Sequence, residues 1–268
     1  MTIVVAAAAP DGVVLASDSR MTMSSGRRHR VASDHAPKVF APFQGIGFAT
    51  YGSAFIGERT IAGVVEEFAG QRPEQAGTMI AEVSRDAAEF FGRFLTDAFD
   101  AIGRDPPPGA LGIVIAGYDP EGIGRLREIR LPPTGQGAPV IEHEVSTHGP
   151  GVLFRGRTRY IRRMLEGYDQ DGLGETGVEV AKDVDHELRR LGYIPLPPRS
   201  HQDALGLATF VVRMTVDMER LTDGTYAHPG AVPACGGETQ ALLVSRGGTR
   251  WIARPRLRLS DAGVGEEG

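Results

Sequence analysis

Thr2-Ile3-Val4-Val5-Ala6-Ala7-Ala8-Ala9-Pro10-Asp11-Gly12-Val13-Val14-Leu15-Ala16-Ser17-Asp18-Ser19-Arg20 is the stretch on which the reading of this chain turns. A hydroxyl residue stands directly behind Met1. Two short apolar runs flank Pro10-Asp11-Gly12, the pattern of a β-hairpin. Proline suits the first central position of a type I turn, and a following glycine in the left-handed region forms a bulge. Such a three-residue loop pairs Ala9 with Val13, Val4 with Asp18 and Thr2 with Arg20. Thr2, Asp18 and Arg20 then share one face. A two-residue turn would shift the register by one and send Thr2 to the face away from Asp18.

A threonine at this place has a chemical use. Once Met1 is removed, Thr2 carries an α-amine and a γ-hydroxyl on adjacent carbons. The amine, with an ordinary pKa of roughly 7.7–8.0, can act as general base for the residue's own hydroxyl. The small side chain at position two permits removal of the initiator Met. The competing reading is a frayed chain end.

With these residues in view, the chain resembles the proteasome β-subunits, members of the N-terminal-nucleophile hydrolases. The resemblance is carried by Thr2-Ile3-Val4 and by Asp11-Gly12-Val13-Val14-Leu15-Ala16-Ser17-Asp18-Ser19-Arg20. It continues in Ala36-Pro37-Lys38-Val39-Phe40, in Gly47-Phe48-Ala49-Thr50-Tyr51-Gly52-Ser53-Ala54 and in Ala116-Gly117-Tyr118-Asp119. It is weaker at His148-Gly149-Pro150-Gly151 and Cys235-Gly236-Gly237. In order and spacing it spans most of residues 2–253, with the first fifty the most specific.

The resemblance implies an α/β fold of four layers, an α-β-β-α sandwich with two antiparallel sheets face to face. It implies Thr2 as nucleophile, Asp18 and Lys38 as its supporting pair, Arg20 as a further support, and the Gly52 backbone N–H at the oxyanion. Met21, Ala36, Phe40, Thr50 and Ala54 would border the specificity pocket. Thr50 and Ala54 are small, which points to a roomy, mostly apolar pocket. A lysine among Pro37, Val39 and Phe40 could instead be a snorkelling edge residue. A buried ammonium, however, needs an anion, and Asp18 is the nearest that the motif supplies. Lys38 would then favour the neutral Thr2 amine by charge repulsion. Gly52 could also merely end a strand.

Beyond the hairpin, residues 21–35 are polar and basic and read as a loop, either a solvated tip or a rim for substrate or neighbour. A strand is expected over Lys38–Ala41 and another over Ile46–Tyr51, followed by a helix. Ile61, Val64, Val65 and Phe68 recur at helical spacing, as do Ile80, Val83, Ala87, Phe90 and Phe94 within a helix over 77–102. Asp105-Pro106-Pro107-Pro108-Gly109 breaks the chain. Strands are expected at 111–118, 125–131 and 140–147, helices at 176–191 and 203–221, and strands at 239–246 and 249–254. Asp217 and Glu219 read as a solvated helix face, and Asp223 to Pro233 as a loop. Residues 2–259 form one domain in this reading, with an acidic, Gly-rich, disordered tail over 260–268.

Composition closes off several classes. The 268 residues are 41% hydrophobic and 24% charged, an ordinary globular mixture. No apolar run approaches the ~20 residues of a membrane helix, and no secretory signal opens the chain, so no membrane partner is expected. The net charge of −5 argues against a nucleic-acid partner. The cluster Arg155, Arg157, Arg159, Arg162 and Arg163 fits a solvated helix face or a subunit contact better than a nucleic-acid patch. Cys235 is the single cysteine, which suits a reducing cytoplasm. His143, His148, His186, His201 and His228 lack metal-ligand spacing, so neither metal nor cofactor is expected. There is no phosphate loop, dinucleotide fingerprint or Gly-x-Ser-x-Gly elbow, and Cys235 lacks an activating partner.

The chain departs from the resemblance at Pro150, where active β-subunits usually carry serine. It departs again at Val232, where they carry an aspartate three residues before Ser-Gly-Gly. A nucleophile placed directly after the initiator Met is similar to the bacterial ATP-dependent two-component protease. The expectation is a threonine peptidase acting on unfolded polypeptide or peptide inside a homo-oligomeric ring, with an ATP-dependent unfoldase as possible partner. Two alternatives stand beside it, a catalytically silent structural subunit and a small-amide acylase of the same chemistry.

Overall fold

β1 (Ile3–Ala9) and β2 (Gly12–Ser17) are buried at every position, the condition of strands covered on both faces. The computed structural model describes residues 2–25, 28–72, 79–102, 111–119, 121–131, 140–142, 151–169, 173–174, 177, 179–192, 196–222 and 232–254. β1 and β2 pair antiparallel and lie inside a five-stranded sheet with β12 (Gly151–Gly156), β13 (Gln240–Ser245) and β14 (Gly248–Ala253), in the order β12-β1-β2-β13-β14. A second antiparallel sheet has the order β11-β10-β9-β6-β5. Its strands are β5 (Val39–Phe43), β6 (Ile46–Tyr51), β9 (Leu111–Tyr118), β10 (Gly124–Leu131) and β11 (Val140–Glu142). Two small hairpins complete the strands: β3 (Met21–Ser25) with β4 (Arg28–Ser33), and β7 (Phe55–Ile56) with β8 (Arg59–Thr60). Five helices are described: α1 (Ile61–Gln71), α2 (Ile80–Ile102), α3 (Arg159–Leu165), α4 (Lys182–Gly192) and α5 (His201–Leu221). The chain is thus a mixed α/β protein built on antiparallel sheets.

The period-two alternation of side chains explains how these elements cohere. Val4, Ala6, Ala8, Val13 and Leu15 face Val39, Ala49, Val114, Ala116 and Leu126 of the second sheet. Ile3, Val5, Ala7, Val14 and Ala16 point the other way, into a cluster with Ile161 and Leu165 of α3 and Ala204, Ala208, Val211 and Val212 of α5. On the far side of the second sheet, Phe48, Ile113, Ile115 and Ile129 meet Ile61, Val64, Val65 and Phe68 of α1 and Ile80, Val83, Ala87 and Phe91 of α2. Phe68 is central there, with the rings of Phe43, Phe48, Phe90 and Phe91 at 5.3–6.0 Å; its truncation to alanine would cost about 3–5 kcal/mol. Of the helical stripes expected for α1 and α2, Ile61, Val64, Val65, Phe68, Ile80, Val83, Ala87 and Phe90 are buried, and Phe94 is partly buried against them. Thr60 caps α1 through Gly63 N, and Ser200 and Asp203 form a capping box on α5. No described helix is long and apolar enough to cross a membrane.

Several expectations are corrected. The hairpin register is Ala9↔Gly12 and Val4↔Ser17, so the turn has two residues, not three. Gly12 does not adopt the positive φ that a bulge requires. Its missing side chain instead admits Leu243 Cδ1 and His201 Cβ, which a Cβ would meet at 2.9 and 3.2 Å. Asp11 in the turn accepts from His201 N at 2.6 Å and pairs with its Nδ1 at 2.7 Å. Tertiary contact with the start of α5 therefore accompanies the tighter turn. Residues 21–35 are not a loop but hold the β3–β4 hairpin. The hairpin of β7 and β8 intervenes before α1. α4 begins at Lys182, with Asp183 and Asp185 in its first turn, where acidic residues suit the helix dipole. Asp217 is exposed as expected, but Glu219 is buried. The Asp105–Gly109 break, Pro150, most of the 223–233 loop and the tail over 260–268 lie outside the described residues, as do residues 143–147 of the strand expected at 140–147.

Candidate active site

Thr2 sits just ahead of β1 and is 6% exposed. Its carbonyl accepts from Arg157 N at 2.8 Å. Gly156 lies against the same carbonyl with φ +88°, and a Cβ there would overlap the Thr2 oxygen. Glycine is required on both counts. Thr2 thereby lines a cleft of about 750 Å³, within the range of small-molecule and peptide side-chain sites.

By strand parity the observed register points position 18 away from Thr2. β2, however, ends at Ser17, and the chain turns there. Ser17 Oγ donates to Ile3 O at 2.8 Å and secures the turn beside β1. The Asp18 carboxylate comes to Thr2's neighbour: Oδ1 accepts from Ile3 N at 3.1 Å and from Lys38 Nζ at 2.8 Å. Oδ2 accepts from Arg20 N at 3.2 Å and Gly236 N at 3.0 Å. A fully buried carboxylate with a cation and three backbone donors is well compensated.

Lys38 is 7% exposed and lines the cleft with Thr2. Its backbone is clamped by Gln240, whose Oε1 accepts from Lys38 N and Val39 N at 3.0 and 3.2 Å while Nε2 donates to Ala36 O at 2.8 Å. Gly52, directly after β6, also lines the cleft, with φ +92°, a conformation that only glycine adopts without strain.

Arg20 also reaches the cleft, but its guanidinium is engaged with Asp34, Nε to Oδ1 at 2.6 Å and Nη2 to Oδ2 at 2.9 Å. The paired hydrogen bonds to Arg20 hold the Asp34 carboxyl below its ordinary range despite partial burial. Arg20 is therefore a brace that ties the 18–20 segment to the 34–36 segment. Met21, Ala36, Thr50 and Ala54 line the cleft as expected, joined by Met23, Phe55, Ile61 and Ala62. Phe40 does not. It packs against the α1–α2 cluster, because alternation from the inward Val39 turns it to the other face.

The residues that the sequence reading missed are mostly buried polar partners. Gln240 opens an otherwise apolar strand, Gln-Ala-Leu-Leu-Val, and a polar residue there is a signal that a partner is needed. Glu219, read as solvated, accepts from Arg157 Nε at 3.0 Å and Ala234 N at 2.9 Å. It thus joins the residue that holds Thr2 to the loop that holds Asp18. Arg155 and Arg157 are buried-carboxylate partners, not a solvated face. Val232 precedes this loop, whose Gly236 still donates to Asp18. Cys235 is buried, and burial pushes its thiol well above the usual range, an environment that disfavours a thiolate nucleophile. No group of three or more potential metal ligands occurs among the described residues.

No family model matches the chain, and neither does any curated protein. The arrangement therefore stands on its own chemistry: a hydroxyl residue, an ammonium paired with a buried carboxylate, and a positive-φ glycine backbone around one largely apolar cleft.

Proposed function

We propose that this chain is a threonine-type peptidase of the N-terminal-nucleophile hydrolase class, with residues 2–259 forming one four-layer α-β-β-α domain. The observation that carries the reading is the meeting of Thr2, Lys38 and Gly52 at one cleft, with Asp18 paired to Lys38 behind it. The Thr2 hydroxyl attacks a peptide carbonyl once Met1 is removed, and its α-amine takes the proton. The Lys38 ammonium, a like charge, disfavours protonation of that amine. The Gly52 N–H stabilises the oxyanion as it forms. The carbonyl carbon is then bound to the Thr2 oxygen as an ester, and the amine of the substrate leaves with the proton. Water attacks the ester with the α-amine as base, releasing the acid and restoring Thr2.

The cleft walls, Met21, Met23, Ala54, Phe55 and Ile61, favour an apolar side chain on the acyl side of the cut bond. A peptidase of this kind is confined in a homo-oligomeric ring by analogy with the family it resembles, fed by an unfoldase and working in a reducing cytoplasm. The test is treatment with a peptide epoxyketone, which needs both a hydroxyl and a free amine, followed by mass spectrometric mapping. A morpholine-type adduct on Thr2, together with loss of peptide turnover, is expected. A chain that retains Met1 and cleaves peptides at full rate, or an active Thr2→Ala variant, overturns threonine catalysis. Hydrolysis of acyl-amides without peptide turnover would redirect the reading to an acylase.

A further inference from the structure

Glu128 is fully buried between the two sheets. It lies on β10 in alternation with the inward Leu126. Its carboxylate accepts from Arg155 twice, Nε to Oε1 at 2.7 Å and Nη2 to Oε2 at 2.8 Å. It accepts from Arg130 Nη2 at 3.1 Å and from the Tyr51 hydroxyl. Arg155 belongs to β12 and sits opposite Val4 of β1, two residues from Thr2. Arg155 is also next to Gly156, which abuts the Thr2 carbonyl. Tyr51 belongs to the other sheet and immediately precedes Gly52. Its ring runs over Gly112, where any Cβ would overlap it, and that gap lets the hydroxyl reach Glu128 on the next strand but one. A single carboxylate thus joins the strand beside the nucleophile to the residue before the oxyanion donor.

We infer that Glu128 and Tyr51 are positioning residues that fix the Gly52 backbone at a set distance from Thr2. The inference rests on the peptidase reading. Hydrophobic contact alone would let the sheets slide by small amounts, whereas a bidentate ion pair and a directed O–H donor have narrow geometric optima. The protonation states suit the task. Burial, then the Glu128 hydrogen bond, raises the Tyr51 hydroxyl above its ordinary range, so it stays a donor. Burial would raise Glu128, but the hydrogen bonds from Arg155, Tyr51 and Arg130 outweigh it and bring its pKa down to about 2. The Glu128 carboxylate is thus ionised and the Tyr51 hydroxyl protonated throughout the physiological range. Oxyanion donors act in the transition state more than in the ground state, so displacing one lowers kcat while leaving KM.

Tyr51→Phe removes one oxygen and keeps the ring, and Glu128→Gln keeps the volume while removing the charge. On a short fluorogenic peptide, kcat of both variants should fall about tenfold or more, part of the 10²–10³ that a complete oxyanion donor provides, with KM within twofold. Labelling of Thr2 by a peptide vinyl sulfone, which is attacked at carbon without forming a carbonyl oxyanion, should keep its rate in Tyr51→Phe. An unchanged kcat in Tyr51→Phe, or equal losses in turnover and vinyl sulfone labelling, overturns the positioning role while leaving the peptidase reading intact. A wild-type protein that neither cleaves peptides nor labels at Thr2 overturns the peptidase reading, and this inference with it. If Glu128→Gln does not fold, Tyr51→Phe alone decides, since Glu128 then keeps both arginines.

Discussion

Asp18 has no exposed surface and accepts from Ile3 N, Arg20 N, Gly236 N and Lys38 Nζ. Lys38 Nζ is the one of these donor groups that carries a full charge, and Lys38 also lines the cleft. Lys38→Ala should lower peptide turnover by at least ~10²-fold, the scale of one acid–base component, while the three backbone donors keep the Asp18 carboxylate hydrogen-bonded. Turnover near that of wild type would make Lys38 a bystander. Glu128 makes a second prediction at this scale. Its pKa is brought from an unfolded value of 4.5 to about 2 in the fold. A depressed carboxylate contributes stability above its unfolded pKa and loses it as pH falls through the folded one. The contribution is of order a few kcal/mol, complete above about pH 5 and lost progressively between there and about pH 2. Thermal midpoints of wild type and Glu128→Gln should therefore converge as pH is lowered from 7 to 3. A constant difference across that range would contradict the assignment.

The first hairpin shows how an element can deliver its residues by a route other than the expected one. The Pro10-Asp11-Gly12 signal located the turn, but local turn chemistry does not distinguish two residues from three when Asp11 and Gly12 are also committed to α5. With the shorter turn, strand alternation alone would separate Thr2 from Asp18. The early end of β2 brings the Asp18 carboxylate back to Ile3 N. On the other side of β1, the end of β12 contributes Gly156 and Arg157 to hold the Thr2 carbonyl. Gly156→Ala should strain the positive φ, at a cost of order 1–3 kcal/mol, and push Thr2 out of place. Both the thermal midpoint and the peptide turnover should fall. Full activity with a lowered midpoint would show that the Thr2 carbonyl tolerates displacement. The stripes of α1 and α2 were readable because a 3.6-residue period survives any tertiary context. The β3–β4 hairpin was not, because its polar, basic composition lacks the alternation that marks a half-buried strand.

Across the whole molecule, the cleft is lined by Thr2 ahead of β1, by Met21 and Met23 of β3 and by Thr50 and Tyr51 of β6, and under the proposed peptidase function a nucleophile there must be kept from folded proteins. Confinement in a ring would restrict access to unfolded polypeptide. Phe210, Met218 and Leu221 of α5 and Leu188 and Leu191 of α4 are exposed large apolar residues, a surface consistent with further burial on assembly. Light scattering at micromolar concentration should give a mass several times that of the 28.6 kDa chain. A monomeric mass throughout that range would count against the ring.

The sequence by itself determined which stretches are buried strand and which helix face, and it marked Thr2, Asp18, Lys38 and Gly52 as chemistry-bearing residues through their resemblance to a known pattern. Period and composition are local properties, so they can be read without coordinates. Only the tertiary structure decided the hairpin register, the outward turn of Phe40 into the helical core, and the roles of Gln240, Glu219 and Glu128. The three polar roles depend on partners far along the chain, Lys38 for Gln240, Arg157 for Glu219 and Arg155 for Glu128. A buried polar group declares its function only through the donors that surround it, and those come from elsewhere in the chain.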